Sequence, residues 1–236
     1  MTNVDTSASA GTRGPAGPAR LVSAGTRAPT VLFLVFATAL LGAAAYLSAV
    51  DIRSMDINKD VWQHLAALRA LDADLLHPSN PFVASDETSR HFHPVWVGMA
   101  GLARVLDLTA WDTLILACYL SMALLAAGIH AFARAFYASP WGPLVLLLTM
   151  SLAYISPVGH TGLHNLFTLV YAAPYPATIM VGLCLMSWAV AIRSLRSGWS
   201  GIALMLLVAL MAATHQLGAA IAVIGALSFV LFWPDG

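Results

Sequence analysis

Charge is what this chain has least of. Charged residues make up 9% of its 236 positions against 59% hydrophobic, too little polar surface to coat a water-soluble domain. That excludes a soluble globular protein and leaves an integral membrane protein. Cysteine is nearly absent as well. The two present, Cys118 and Cys184, fall inside apolar runs, where they read as small packing residues, and no disulfide framework is expected. There is no phosphate-binding Gly-rich loop, dinucleotide fingerprint, Gly-x-Ser-x-Gly elbow or zinc ribbon. The soluble chemistries those motifs mark are excluded with them, and no nucleic-acid partner is expected.

What the chain does have is long apolar runs, at 31–50, 113–133, 141–157, 174–192 and 201–232. A hydrocarbon core about 30 Å thick takes about 20 helical residues to cross, and in lipid only a helix satisfies its own backbone along such a run. The last run is interrupted by Thr214-His215-Gln216 and is expected to form two short, tilted spans. The fold class is therefore all-α: a polytopic membrane helix bundle of about five or six spans. A disordered tail is expected over 1–28 and the transmembrane domain over 29–236. The tail is rich in Gly, Ala, Pro, Ser and Thr, with almost nothing to bury. A cleaved secretory signal is the competing reading of this end, and the length of the apolar run favours an uncleaved anchor.

The few charges are segregated. Nine of the eleven acidic residues lie within 51–112. Arg13, Arg20, Arg27, Arg134, Arg193 and Arg196 flank the other ends of the apolar runs. Basic residues mark short cytoplasmic segments, and one threading puts all six inside. It predicts a cytoplasmic N-terminus in the cell membrane, a first external loop over 51–112, a second over 158–173, and His215 at the outer surface. Seven of the eight histidines then fall on the outer side, with His130 the exception.

Within the first loop, residues 60–76 read as a helix. Val61, Leu65, Leu68, Leu75 and Leu76 share one stripe, while Asp56, Asp60, Gln63, His64 and Asp74 share the adjoining face. Such a helix is expected to lie on the membrane surface, apolar side down. His77-Pro78-Ser79-Asn80-Pro81 forbids its continuation. Residues 94–106 are apolar but short, so a second interfacial or re-entrant helix is expected there. Thr109 and Asp112 have capping-box spacing and should open the next span near Ala110.

Three groups could carry chemistry. Asp60 and His64 are one turn apart, with Asp56 one turn earlier. A carboxylate there could accept a proton from an attacking hydroxyl, with His64 orienting it or touching a phosphate. A solvated helix face would look the same. Arg90-His91-Phe92-His93-Pro94-Val95-Trp96 places a guanidinium and two imidazoles before a proline-started helix, an arrangement suited to phosphate. Its bland reading is an interfacial anchor with Trp96 at headgroup depth. His91-x-His93 and His160-x-x-x-His164 could instead hold a divalent metal, although no cysteine and no tight carboxylate spacing supports one. His215 reads as a helix-ending polar residue or a functional one, and His130 as a packing or snorkelling residue.

The order of these features resembles the N-terminal half of GT-C-fold polytopic glycosyltransferases. The resemblance rests on a tail, one span, an external loop opening with Asp51, Asp56 and Asp60, the string Asp60-Val61-Trp62-Gln63-His64-Leu65-Ala66, the Asn80-Pro81-Phe82 turn, and Arg90 through Trp96 leading into a short apolar helix. It implies an enzyme that takes a sugar from a polyprenyl-phosphate donor and transfers it to an acceptor on the outer face. By resemblance Asp60, and after it Asp56, takes the acidic position that serves as general base or metal ligand, and His93-Pro94 opens the following helix. The sequence departs from that pattern where Val61 replaces the second residue of the usual acidic pair. A non-catalytic membrane assembly subunit, bound to another membrane protein, and a transport-related protein stay open beside it. Ionisable residues within the spans, which a transporter needs, are nearly confined to His130.

Overall fold

The computed structural model describes residues 19–54, 59–84, 87–152, 166–197 and 201–232. They form α1 (Ala19–Ser54), α2 (Lys59–Ala73), α3 (Pro94–Leu106), α4 (Ala110–Phe136), α5 (Gly142–Leu152), α6 (Leu166–Ala172), α7 (Pro176–Ser197), α8 (Ile202–Thr214) and α9 (Gln216–Phe232), with no strand among the described residues. Among the described residues, three helices are long and apolar enough to cross a membrane: α1 from Arg27 onward, α4, and α7 as far as Leu195. At about 1.5 Å per residue, the 27 residues of α4 exceed the hydrocarbon thickness. The helices α5, α8 and α9 are apolar and shorter. The 201–232 run breaks as expected: His215 adopts an extended backbone (φ −155°, ψ 96°) between α8 and α9.

Side-chain pairs fix how the helices run. Phe33 meets the ring of His130 at 5.2 Å, and Ser48 Oγ lies 3.5 Å from Cys118 Sγ. Early residues of α1 therefore face late residues of α4, and the two are antiparallel. Phe132 meets Trp188 at 5.8 Å and Leu124 lies beside Gly182, so α4 and α7 run parallel. Cys184 Sγ donates to the Gly218 carbonyl at 3.2 Å and Trp188 Nε1 to the Ala222 carbonyl at 3.1 Å, so α9 runs parallel to α7. One end of the bundle thus carries Arg27, Arg134 and Arg193. The other end carries α2, α3 and the acidic segment.

Close approach of α4 and α7 depends on two glycines. A β-carbon on Gly128 would fall on the Gly182 carbonyl, and one on Gly182 would come within 2.7 Å of the Leu124 carbonyl group. Neither neighbour is a side chain that can swing aside, so the helices themselves must part. Helix association in lipid relies on such small residues. Gly182→Ala should therefore destabilise the bundle by about 1–3 kcal/mol, the usual cost of overpacking. Gly42→Ala, with nothing within 4 Å of its added carbon, should be neutral or stabilising because alanine is the better helix former. Thermal unfolding of both variants in detergent checks this, and equal midpoints would refute it.

One expectation needs correction. The loop helix α2 ends at Ala73, not at residue 76, and Leu76 stands exposed. Asp74 Oδ1 accepts from the N–H groups of Leu76 and His77 at 3.0 Å each, turning the chain. Arg104 Nη2, from α3, donates to the carbonyls of Leu71 at 2.9 Å and Asp72 at 2.7 Å, supplying the last turn with its partners. The apolar stripe of α2 also packs into protein: Val61, Leu68 and Leu71 are buried in one cluster with Trp96, Met99, Ala100 and Leu114. Part of the 158–173 segment is helical as well. Helix α6 buries Leu169, beside Ala173, in the same cluster as α1 residues Phe33, Leu41 and Ala45.

Candidate functional site

Helix α3 begins where local chemistry dictates. Pro94 has no N–H to lose at the first helical position and holds His93 extended, at φ −91° and ψ 162°. His93 caps the helix, its Nδ1 accepting from the Trp96 backbone N–H at 3.4 Å, and its side chain is buried. Trp96 is fully buried. Its indole Nε1 donates to Nδ1 of His64 on α2 at 2.9 Å. His93 stacks on Trp96 at 5.8 Å.

The remaining walls come from elsewhere in the chain. His91 meets His64 edge to face at 5.4 Å and packs on Phe82 at 5.0 Å, a residue held in its turn by its N–H donating to Asn80 Oδ1 at 3.0 Å. Tyr175 lies 5.4 Å from His64. It sits in the α6–α7 turn, where its N–H donates to the Ala172 carbonyl at 3.0 Å and Thr178 Oγ1 donates to the same carbonyl at 2.6 Å. The Tyr175 hydroxyl is buried and has no hydrogen-bond partner among the described residues. Asp60 stands exposed in the first turn of α2. Trp62 packs edge-on against Trp111 of α4 at 5.5 Å, and Arg69 lies 5.9 Å over the same Trp111 ring, so α2 is anchored on its far side.

Burial sets the protonation of this cluster. It lowers the pKa of His64 from 6.5 to about 3, with smaller contributions from the positive charge His91 and His93 would carry. Burial, then His91 and His215, lowers His93 to about 4. His91 is lowered by burial and by Arg90 beside it. Tyr175 is raised to about 12, by burial first and the Asp60 charge second. At neutral pH the three imidazoles are therefore uncharged and the phenol keeps its proton.

The structure brings together His64, His91 and His93, with Asp60 close enough to act on Tyr175 electrostatically. Arg90 is exposed at the turn before α3. Asp56, His160 and His164 lie outside the described residues. His215, at the α8–α9 break, reaches His93 electrostatically, and its own Nδ1 accepts from the Gly218 N–H at 3.2 Å. Among the described residues no group of three or more His, Cys, Asp or Glu side chains is arranged to hold a metal. Two members escape a reading by residue type: Trp96, which passes for a membrane anchor, and Tyr175, whose one sequence signal is its place between Pro174 and Pro176.

No family model matches the chain, and no curated protein or solved structure does either.

Proposed function

We propose that this is a membrane glycosyltransferase-like protein of the GT-C type, with its N-terminus cytoplasmic, about five or six spans, and the acidic loop on the outer face. It takes a sugar from a polyprenyl-phosphate donor drawn from the surrounding lipid and transfers it to an acceptor hydroxyl. One observation supports this most. Asp60, His64, His91 and His93 gather at one end of the bundle, opposite the end that carries Arg27, Arg134 and Arg193.

In this reading the acceptor oxygen attacks the anomeric carbon while its proton passes to the Asp60 carboxylate. The bond from that carbon to the phosphate oxygen breaks, and the polyprenyl phosphate leaves with the electron pair. Asp56 is the second candidate for the proton. Arg90 supplies permanent charge for the phosphate, and His91 and His93 supply neutral donors.

Donor binding tests this assignment. Purified chain in lipid discs should retain a labelled polyprenyl-phosphate sugar, and Arg90→Ala should weaken retention by at least tenfold with no effect of chelator. A divalent metal at the loop predicts the reverse: indifference to Arg90→Ala, sensitivity to chelator, and failure of His91→Ala or His93→Ala. Binding unchanged in Arg90→Ala and abolished by chelator would overturn the phosphate reading.

A second reading, a non-catalytic assembly subunit, draws on a separate observation. His64 and His93 already spend one ring nitrogen each on Trp96, as packing residues would. Absence of donor binding in the wild-type chain would favour it.

A further inference from the structure

Trp96 occupies the third position of α3, and that position has two hydrogens to give. Its backbone N–H is the one an N-cap side chain accepts, and here the acceptor is His93 Nδ1 at 3.4 Å. Its indole N–H points the other way, to His64 Nδ1 on α2 at 2.9 Å. One buried residue therefore addresses two histidines that are far apart in sequence and belong to different elements. An imidazole whose Nδ1 accepts a hydrogen bond is neutral with its proton on Nε2.

We propose that Trp96 is a positioning residue that holds His64 and His93 in the same neutral Nε2–H tautomer, so that both rings serve as hydrogen-bond donors and neither serves as a base. A proton arriving at Nδ1 of either ring would face the N–H that Trp96 directs at it. Proton acceptance in the cluster then falls to Asp60, and the imidazoles offer donors without adding positive charge. His215 is held in the same sense from another helix, by the Gly218 N–H. As a statement about catalysis this rests on the glycosyl-transfer reading above. As a statement about protonation it does not, and the test reads protonation alone.

The chain, ring-15N-labelled at histidine and held in lipid discs, reports each tautomer in a long-range proton–nitrogen correlation spectrum. At pH 7.5 the wild type should show His64 and His93 as Nε2–H. Trp96→Phe removes the indole N–H but keeps the ring bulk and the backbone N–H. His64 should then become a mixture of tautomers and titrate at a higher pH, in the unchanged company of Asp60, His91, His93 and Tyr175, while His93 keeps its wild-type pattern. That asymmetry separates positioning from packing, because a merely loosened core moves both rings together. If His64 keeps its tautomer in Trp96→Phe, if both rings change alike, or if wild-type His64 carries its proton on Nδ1, the proposal is overturned. His64→Phe provides the reciprocal readout should Trp96→Phe not fold. It should move the Trp96 indole proton upfield and speed its exchange at least tenfold, and an unmoved indole resonance overturns the proposal as well.

Discussion

Replacing Asp60 by asparagine should lower the proposed glycosyl transfer by about 10²–10⁴-fold, the usual contribution of a positioned base, with membrane insertion and folded yield unchanged. The side chain is exposed in the first turn of α2, and asparagine has the same shape. The structural cost is therefore limited to a favourable interaction with the helix dipole, about 0.3–1 kcal/mol. What asparagine lacks is a lone pair basic enough to take the acceptor's proton. No neighbour replaces it: burial holds His64, His91 and His93 neutral, and Trp96 occupies Nδ1 of two of them. A second readout accompanies the first. Asp60 contributes to the raised pKa of Tyr175, so Asp60→Asn should let that phenol titrate at lower pH, a change visible in its ultraviolet absorbance. Transfer assays of Asp60→Asn and Asp56→Asn decide the assignment. Near-normal turnover in the first and loss in the second would move the base to Asp56, and normal turnover in both would make the loop structural.

The features legible in sequence are those whose causes are local. Helix α3 starts at Pro94 because proline suits a first turn and nothing else nearby does. Helix α4 starts at Ala110 because Thr109 and Asp112 cap it reciprocally, Thr109 Oγ1 accepting from the Asp112 N–H at 3.2 Å and Asp112 Oδ2 from the Thr109 N–H at 3.4 Å. The break at His215 follows from three polar residues within an apolar run. Where the cause is distant, the sequence is mute. The end of α2 depends on the Arg104 guanidinium arriving from α3, and α6 takes its helical form in contact with α1. The same division holds in the site. His64, His91 and His93 stand out as titratable groups in a polar loop, but their meeting depends on the chain returning over α2 after the Asn80 turn. Trp96 shows its two-sided role only once α2 and α3 are side by side. Tyr175 enters the cluster from a different helix pair altogether, and no periodicity in its own segment marks it.

Acidification should open this end of the bundle before the apolar spans respond. His64 has an ordinary pKa of 6.5 that burial lowers to about 3. Below pH 6.5 the unfolded chain takes up a proton that the folded chain refuses, so stability falls as pH falls, and it goes on falling until about pH 3. Above pH 6.5 the ring is neutral in both states and stability is flat. The slope is about 1.4 kcal/mol per pH unit for each such ring, so His64 alone should cost about 2 kcal/mol at pH 5. His93 is lowered to about 4 and acts in the same direction, its contribution levelling off about one pH unit sooner than that of His64. The groups facing these rings are Asp60, His91, Tyr175 and His215. His91 is itself lowered, so it does not offset the loss by binding its proton early. Hydrogen exchange of α2 and α3 measured between pH 7.5 and 5, corrected for the intrinsic rate, should show protection falling over this window while that of α4 and α7 holds. His64→Gln cannot titrate and keeps an acceptor for the Trp96 indole, so it should remove roughly half of the slope and leave the share of His93. A slope undiminished in His64→Gln would place the titration on another group and end this account of the cluster's acid sensitivity.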